Sequence, residues 1–430
     1  MPGLKAAGLL PTAQDRLSSH APLGADEPTA VKIAILLPDR ASLRLIRRAA
    51  ELALRLAEVR TPRGAAIEIA IGLAEPDEER WRRGERQLRQ RAPAAVVRHL
   101  AWTPVPVDQA RRMFAGLDPA LDLEGIKEVV VPRDWGWNFQ DCALWISLAD
   151  PSVGPILPLR KIVHYCLGLP ERYVPAMVAA SIHDPYWTRQ AEAFRLWRQA
   201  TVVTSDATAI PDLVSYAGVR SERTELIPDV FECLPPFAPV APSDRHRDML
   251  VWVLRGDAVD DLEASLAGLQ IYHREGGSLD IVVAHEDVSG TAEHSAVAAL
   301  PADLRALYDS LERITYRSLE ELDRLLVRSG ALWSSQIAGG GGEHLLEAER
   351  AKLHVLAPSF ALTRELVERR GISARLYGVG EVLEIADALK DVERMVDAPV
   401  RDQDEPGDFA DPTEAFGFLI EWLLASARVS

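Results

Sequence analysis

The sequence predicts an α/β chain built from two doubly wound domains. Three observations carry that expectation. Short apolar stretches alternate with amphipathic ones along most of the 430 residues, as parallel strands covered by helices on both faces require. The alternation stops at Pro235, Pro236, Pro239 and Pro242 and then restarts. Four consecutive glycines, Gly339 to Gly342, separate an apolar strand from a helix in the second half, the kind of place where open α/β sheets bind ligands.

Residues 1–30 are small, polar and Pro-containing and read as a loose arm. The first domain is expected over 31–235. It opens on Val31 to Leu37, apolar but for Lys32, as a buried strand. Ser42 to Val59 has apolar residues at helical spacing, and Ala66 to Ile71 is a second strand. Glu78 to Arg91 is dominated by charge and reads as a solvated helix. Strands at Glu128–Val131, Ala143–Ser147, Lys161–Tyr165, Thr201–Thr204 and Glu225–Ile227 complete this sheet. After a linker at 236–244, the second domain is expected over 245–390. Its strands are Met249–Leu254, Asp280–Ala284, Ile314–Tyr316, Ala331–Ser334, His354–Ala357 and Ala374–Tyr377, with a helix at Leu262–Ile271. Residues 391–415 form an acidic connector, since nine carboxylates face two arginines from Asp391 to Glu414. Phe416–Ala425, within 416–430, is an apolar helix that must pack on something.

Net charge is −16, which argues against the broad basic face that nucleic acid requires. No apolar run approaches the roughly 20 residues that span a bilayer. Met1 to Ala30 lacks a basic start followed by an apolar core, so no signal peptide is expected. Cys142, Cys166 and Cys233 are odd in number and far apart, matching neither a disulfide framework nor a zinc pattern. A cytoplasmic setting and no metal follow as expectations. The chain has no nucleophile elbow, no P-loop and no His-Glu-x-x-His. Its first strand runs into Pro38-Asp39-Arg40, not a Gly-rich turn, which speaks against a dinucleotide oxidoreductase.

The chemistry concentrates around the glycines. A Gly-rich turn into a helix N-terminus offers free N–H groups and the positive end of the dipole to an anion. Gly340, Gly341 and Gly342 form that turn, and Glu343 and Glu347 lie on the helix after it. Arg255 ends the strand Leu250–Leu254, just before Asp260-Asp261-Leu262. In the first half, Trp135 and Trp137 sit in an aromatic stretch from Asp134 to Phe139. Such rings stack on sugar C–H faces or pack in a core. His164 follows the strand Lys161–Val163, and His183-Asp184-Pro185 reads as loop or helix entry. Ser205 and Asp206 suit a helix cap.

These blocks, covering most of 163–390, resemble the GT-B glycosyltransferases, in which two Rossmann-like domains face a central cleft. The specific resemblance is to retaining glycosyltransferase family 4. Ala200 to Thr208 with Ile227-Pro228-Asp229, the Arg255 strand end, and the glycine run with Ala357-Pro358-Ser359 and Arg364-Glu365-Leu366 carry it. It implies a nucleotide-sugar donor on the second domain, held by Arg255, Gly340, Gly341, Gly342 and Glu347, the last through the ribose hydroxyls. It also implies an acceptor on the first domain near Trp135 and Trp137, and a final helix, Phe416–Ala425, that returns to that domain. His164 stands where the family has an acceptor-cleft histidine, and Glu343 is the nearest replacement for a carboxylate beside the transferred sugar. Two departures stand out. Gly339 occupies the place of the family's first glutamate, and Asp260 that of its lysine. Two readings therefore remain. One is a hexosyl-type transferase acting with retention on an unidentified glycan, lipid or protein acceptor, with no cofactor beyond the donor. The other is a catalytically impaired GT-B homologue that binds or supports a protein partner. Asp260 is expected at a surface turn, where a lysine would be tolerated and would attract a diphosphate.

Overall fold

The structure, a computed structural model, describes residues 30–39, 41–61, 64–75, 77–114, 121–148, 153–169, 172–173, 186–227, 229–232, 234, 236–238, 244–254, 260–286, 297–337, 342–396 and 417. The first domain runs β1 (Ala30–Asp39), α1 (Leu43–Glu58), β2 (Ala66–Ala74), α2 (Glu78–Arg91), β3 (Val96–His99), β4 (Trp102–Pro106), α3 (Val107–Met113), β5 (Glu128–Pro132), β6 (Leu144–Ser147), β7 (Ile162–Cys166), α4 (Tyr186–Trp197), β8 (Thr201–Thr204), α5 (Ala209–Ser215) and β9 (Thr224–Leu226). The second runs β10 (His246–Leu254), α6 (Leu262–Arg274), β11 (Asp280–Glu286), α7 (Ala302–Ser310), β12 (Glu312–Tyr316), α8 (Leu319–Leu326), β13 (Ser329–Ser334), α9 (Glu343–Ala351), β14 (His354–Pro358), α10 (Ala361–Arg370), β15 (Ala374–Tyr377) and α11 (Val382–Met395).

Two parallel sheets result, ordered β3-β2-β1-β6-β7-β8-β9 and β12-β11-β10-β13-β14-β15. In each, the chain works outward from one central strand, then crosses to that strand's other side. The reversal lies between β1 and β6 in the first sheet and between β10 and β13 in the second. Adjacent loops diverge at such a reversal, leaving a crevice beyond the carboxyl ends of the strands. The helices that start nearest these two points are α1 and α9.

Strand faces alternate as the pleat demands. Ile33, Ile35 and Leu37 face the α1 side, while Ala34 and Leu36 join Phe139, Trp145 and Ile162 on the other. The α1-side core does not stop at the domain boundary. It passes from Ile33 and Ile46 to Leu322, Leu332 and Leu345 of the second domain. A second core, around Trp252, Leu266, Tyr272 and Ile385, lies within the second domain.

Several expectations are corrected. β3 was not foreseen, because Val96-Val97-Arg98-His99 has little apolar content; it is the sheet's edge strand. Glu128–Val131 is not in the main sheet. It pairs antiparallel with β4, whose Pro104 and Pro106 disfavour a central strand but are tolerated at an edge. The acidic connector starts later than Asp391, because α11 continues to Met395 and buries Val392. Of the final helix, only Gly417 lies among the described residues. A Cβ there would stand 3.7 Å from Val59 of the first domain.

β10 and β13 are bulged, with the register shifting between His246 and Leu250. At that bulge Gly330 lets the strands close, since a Cβ on it would come 1.8 Å from the Arg247 carbonyl oxygen. Backbone cannot yield as a side-chain tip can. Gly330→Ala should therefore cost about 3 kcal/mol, the upper end for overpacking, read as a lowered urea midpoint at unchanged m-value.

Candidate functional site

The site grows from α1. Ser42 caps this helix by accepting from the Leu45 amide at 3.2 Å. The amide of Leu43 instead donates across the domain boundary, to Glu286 Oε1 at the end of β11, at 2.8 Å. A carboxylate suits the positive end of a helix, so α1 points its N-terminus into the second domain. Ile46, Ala49, Leu52, Ala53 and Leu56 face the first domain's core. Arg44, Arg47 and Arg48, at i, i+3 and i+4, form one stripe turned to the partner domain.

Each arginine meets carboxylates. Arg44 donates to Glu347 Oε2 at 3.0 Å and to the Tyr316 hydroxyl at 3.1 Å. Arg47 donates to Asp323 Oδ1 of α8 at 3.3 Å. Arg48, wholly buried, lies at 3.1 Å from both Asp229 oxygens, at 3.1 Å from the Tyr165 hydroxyl and at 2.8 Å from Glu343 Oε1. Its guanidinium also lies 4.8 Å from the Phe231 ring centroid. Burial opposes charge on Arg44 and Arg48. Glu347 chiefly in one case, and Asp229 in the other, outweigh it and hold both pKa values above the ordinary range. Glu343 and Glu347 lie one turn apart on α9, so the crevices of both sheets are joined by ion pairs.

Gly342 stands immediately before α9 with φ of +65°, a left-handed conformation natural to glycine. Its missing Cβ also admits Leu366, whose Cδ1 would be 2.1 Å from it. The helix therefore starts at Glu343, directly after the last glycine, where the sequence suggested a start within the run. Arg255, Gly339, Gly340 and Gly341 lie outside the described residues. Glu347 is fully buried, and its Oε1 has no hydrogen-bond partner among the described residues.

Asp260 does stand beyond the carboxyl end of β10, but its environment corrects the sequence expectation. It is 6% exposed, bridges to Gln336 and lies 3.4 Å from the Ser335 hydroxyl. A lysine there would bury an ammonium, so Asp260→Lys is not the tolerated surface change foreseen above. Asp206 closes a turn just ahead of α5, whose N-cap is Thr208: its Oδ1 accepts from the Thr208 amide at 2.8 Å. Ser205 instead donates to Asp229 at 3.0 Å.

The first-domain candidates lie elsewhere. His164 is buried against Trp197, ring centroids 5.3 Å apart, on the face of the sheet away from α1. Neither ring nitrogen has a partner among the described residues. Burial lowers its pKa to about 3. It is neutral at pH 7 and does not meet solvent in this arrangement, contrary to its expected place in an open cleft. Trp135 and Trp137 are exposed, the latter 70%. Their segment, through Phe139 and Gly136, covers the same far face, against Trp145. The structure does not bring these three residues to Glu343 and Glu347. The arginine stripe, which sequence reasoning missed, was visible as three cations interrupting a buried helical pattern.

No protein-family model and no curated protein matches the chain. Solved structures do. Anabaena Alr3699/HepE in complex with UDP-glucose is 14% identical over 92% of this chain and 99% of its own, with a TM-score of 0.55. The Methanocaldococcus jannaschii UDP-GlcNAc 2-epimerase in complex with UDP-GlcNAc and UDP is 11% identical over 92% and 100%, with a TM-score of 0.54. A glycosyltransferase from Rickettsia africae ESF-5 is 9% identical over 92% and 94%, with a TM-score of 0.50. Together with the two sheet orders, these likenesses establish the GT-B fold. Among the described residues no helix is long and apolar enough to cross a membrane, and no cluster suits a metal ion.

Removing Arg48 would leave Asp229 and Glu343 buried without their cation. Arg48→Met should cost about 3–5 kcal/mol in urea unfolding. Adding Asp229→Asn and Glu343→Gln to it should recover much of that loss, because the stranded charges go too.

Proposed function

We propose that the protein is a glycosyltransferase that moves a sugar from a nucleotide-sugar donor to an acceptor, with retention at the transferred carbon. The observation that carries the reading is Glu347. It is a buried carboxylate with one oxygen held by Arg44 and the other unpartnered among the described residues, one turn into the helix that follows the glycines. A buried acceptor without a donor costs about 1–3 kcal/mol, and a ribose hydroxyl would satisfy it. The position coincides with the family's ribose-binding glutamate. The GT-B fold adds support, as do the nucleotide-sugar names of the UDP-glucose and UDP-GlcNAc complexes it resembles.

In this reading the diphosphate lies at the N-terminus of α9. Free amides and the helix dipole there oppose the charge that develops as the diphosphate departs. Glu343 is the carboxylate nearest the transferred sugar, ion-paired through Oε1 to Arg48. The donor needs room. Where the domains meet around Gly168, Asp206, Asp212 and Phe360, the cavity measures about 30 Å³, whereas ligand pockets run from about 300 Å³ upward. That cavity is too small for a nucleotide sugar.

Glu347 variants test the assignment. Glu347→Gln keeps the shape and loses the charge, and should weaken binding of the tightest nucleoside diphosphate by about 1–3 kcal/mol in calorimetry. Unchanged affinity would remove Glu347 from the site. If UDP, GDP, ADP and their glucose conjugates all fail to bind the unaltered protein, the reading falls, and the partner-subunit alternative takes its place. Conversion of a bound donor to an isomeric nucleotide sugar without loss of nucleotide would mark an epimerase instead.

A further inference from the structure

We infer that Arg44 is a positioning residue for nucleotide binding, supplied by the first domain to a carboxylate of the second. The inference rests on the reading above that Glu347 takes the donor ribose. Arg44 sits in the first turn of α1, a helix whose capping and apolar face belong to the first domain. Its Nη2 reaches Glu347 Oε2 at 3.0 Å, and its Nη1 reaches the Tyr316 hydroxyl at 3.1 Å. These two bonds fix the guanidinium plane. Glu347 Oε1, on the same carboxylate, is left without a partner among the described residues.

A fully buried carboxyl without a cation takes up a proton, because desolvation penalises its charged form. Protonated, it is a poorer acceptor for two hydroxyls. The groups facing Glu347 are Arg44 and Arg47 on α1, Tyr316 at the end of β12, Asp323 on α8, and Glu343 and Arg350 on α9. Arg47 is bonded to Asp323 at 3.3 Å, and Arg350 stacks on Phe237 at 4.0 Å. Arg44 alone among these cations is bonded to Glu347 among the described residues. Removing it would leave the buried carboxyl without a bonded cation; in place, it turns Oε1 toward the ribose. The nucleotide site is composite. Its acceptor belongs to one domain and the counter-ion to the other, so binding depends on how the domains meet.

The test compares Arg44→Gln and Arg44→Lys with the unaltered protein, using whichever of UDP, GDP and ADP binds tightest. Affinities are measured by calorimetry from pH 5.5 to 8, each divided by the unaltered protein's value at that pH, which cancels ionisation of the phosphate itself. Arg44→Gln should bind at least about tenfold more weakly at pH 6. Its ratio should recover as pH rises, by up to about tenfold per unit, as a single ionisation dictates. Arg44→Lys keeps the charge, and its ratio should stay flat within about twofold. A merely structural arginine would lower the melting temperature and leave both ratios flat, and a flat Arg44→Gln ratio overturns the inference. Should Arg44→Gln not fold, Arg44→Lys decides alone, and a pH-dependent ratio overturns it. Absence of binding by the unaltered protein is a separate result, which removes the glycosyltransferase reading itself.

Discussion

A guanidinium that is taken wholly out of water must find its counter-charge inside the protein, and Arg48 makes that demand at the centre of this molecule. The idealised cost of moving such an ion into a medium of low dielectric is on the order of 20 kcal/mol. Only close carboxylates and hydrogen bonds can offset it. Asp229 comes from the chain leaving the first sheet and Glu343 from the second domain. Arg44 and Arg47 repeat the pattern with Glu347 and Asp323. The angle and register at which the domains meet are thus set by charge as well as by apolar contact. Sliding α1 along α9 by a turn would bury cations opposite nothing.

That junction is not fully satisfied. The Nε atoms of Arg44, Arg47 and Arg48 and the Oε1 of Glu347 are buried without partners among the described residues. The continuous apolar core through Ile46, Leu322 and Leu345 has to offset this. An apolar junction of the same shape would hold at least as well, because replacing buried ion pairs by apolar groups is often neutral or stabilising. A charged junction differs when it opens. Guanidinium and carboxylate groups regain water, whereas separated apolar faces gain nothing. A domain boundary that parts is better built from the first kind of contact than from the second.

The fold was legible because it rests on local, repetitive signals. Thr201–Thr204 and Ala374–Tyr377 coincide with observed strands, since a short apolar run between polar turns has few other uses in a sheet buried on both faces. β3 and β4 were not legible: edge strands relax the demand for apolar residues and admit proline. The glycine turn could be read because only a special backbone needs Gly342. The partners of Glu343 and Glu347 could not, because they lie about 300 residues away in sequence, and nothing local in α1 says which carboxylates its arginines meet. His164 shows the reverse error. Its place after a strand matched a functional pattern, but strand alternation decides which face a residue joins, and here that face is the one packed on Trp197.

The fold by itself does not choose the reaction, since the same architecture is seen with similar scores in a UDP-glucose complex and in an epimerase. What distinguishes chemistries on one scaffold is the handful of groups at the crevice. Here those groups are divided between the two domains. Asp260 stands where the glycosyltransferases this sequence resembles have a lysine, and it is buried beside Ser335 and Gln336. Cations nevertheless stand beside α9, because α1 brings them. Arg44 and Arg48 are tied to carboxylates within the first two turns of the helix that the glycines introduce. A cation on the second domain would attract an anion there whether the domains were open or closed. Cations on the facing domain contribute only when the two crevices meet. The arginines of α1 thus place first-domain cations beside the helix that the glycines introduce.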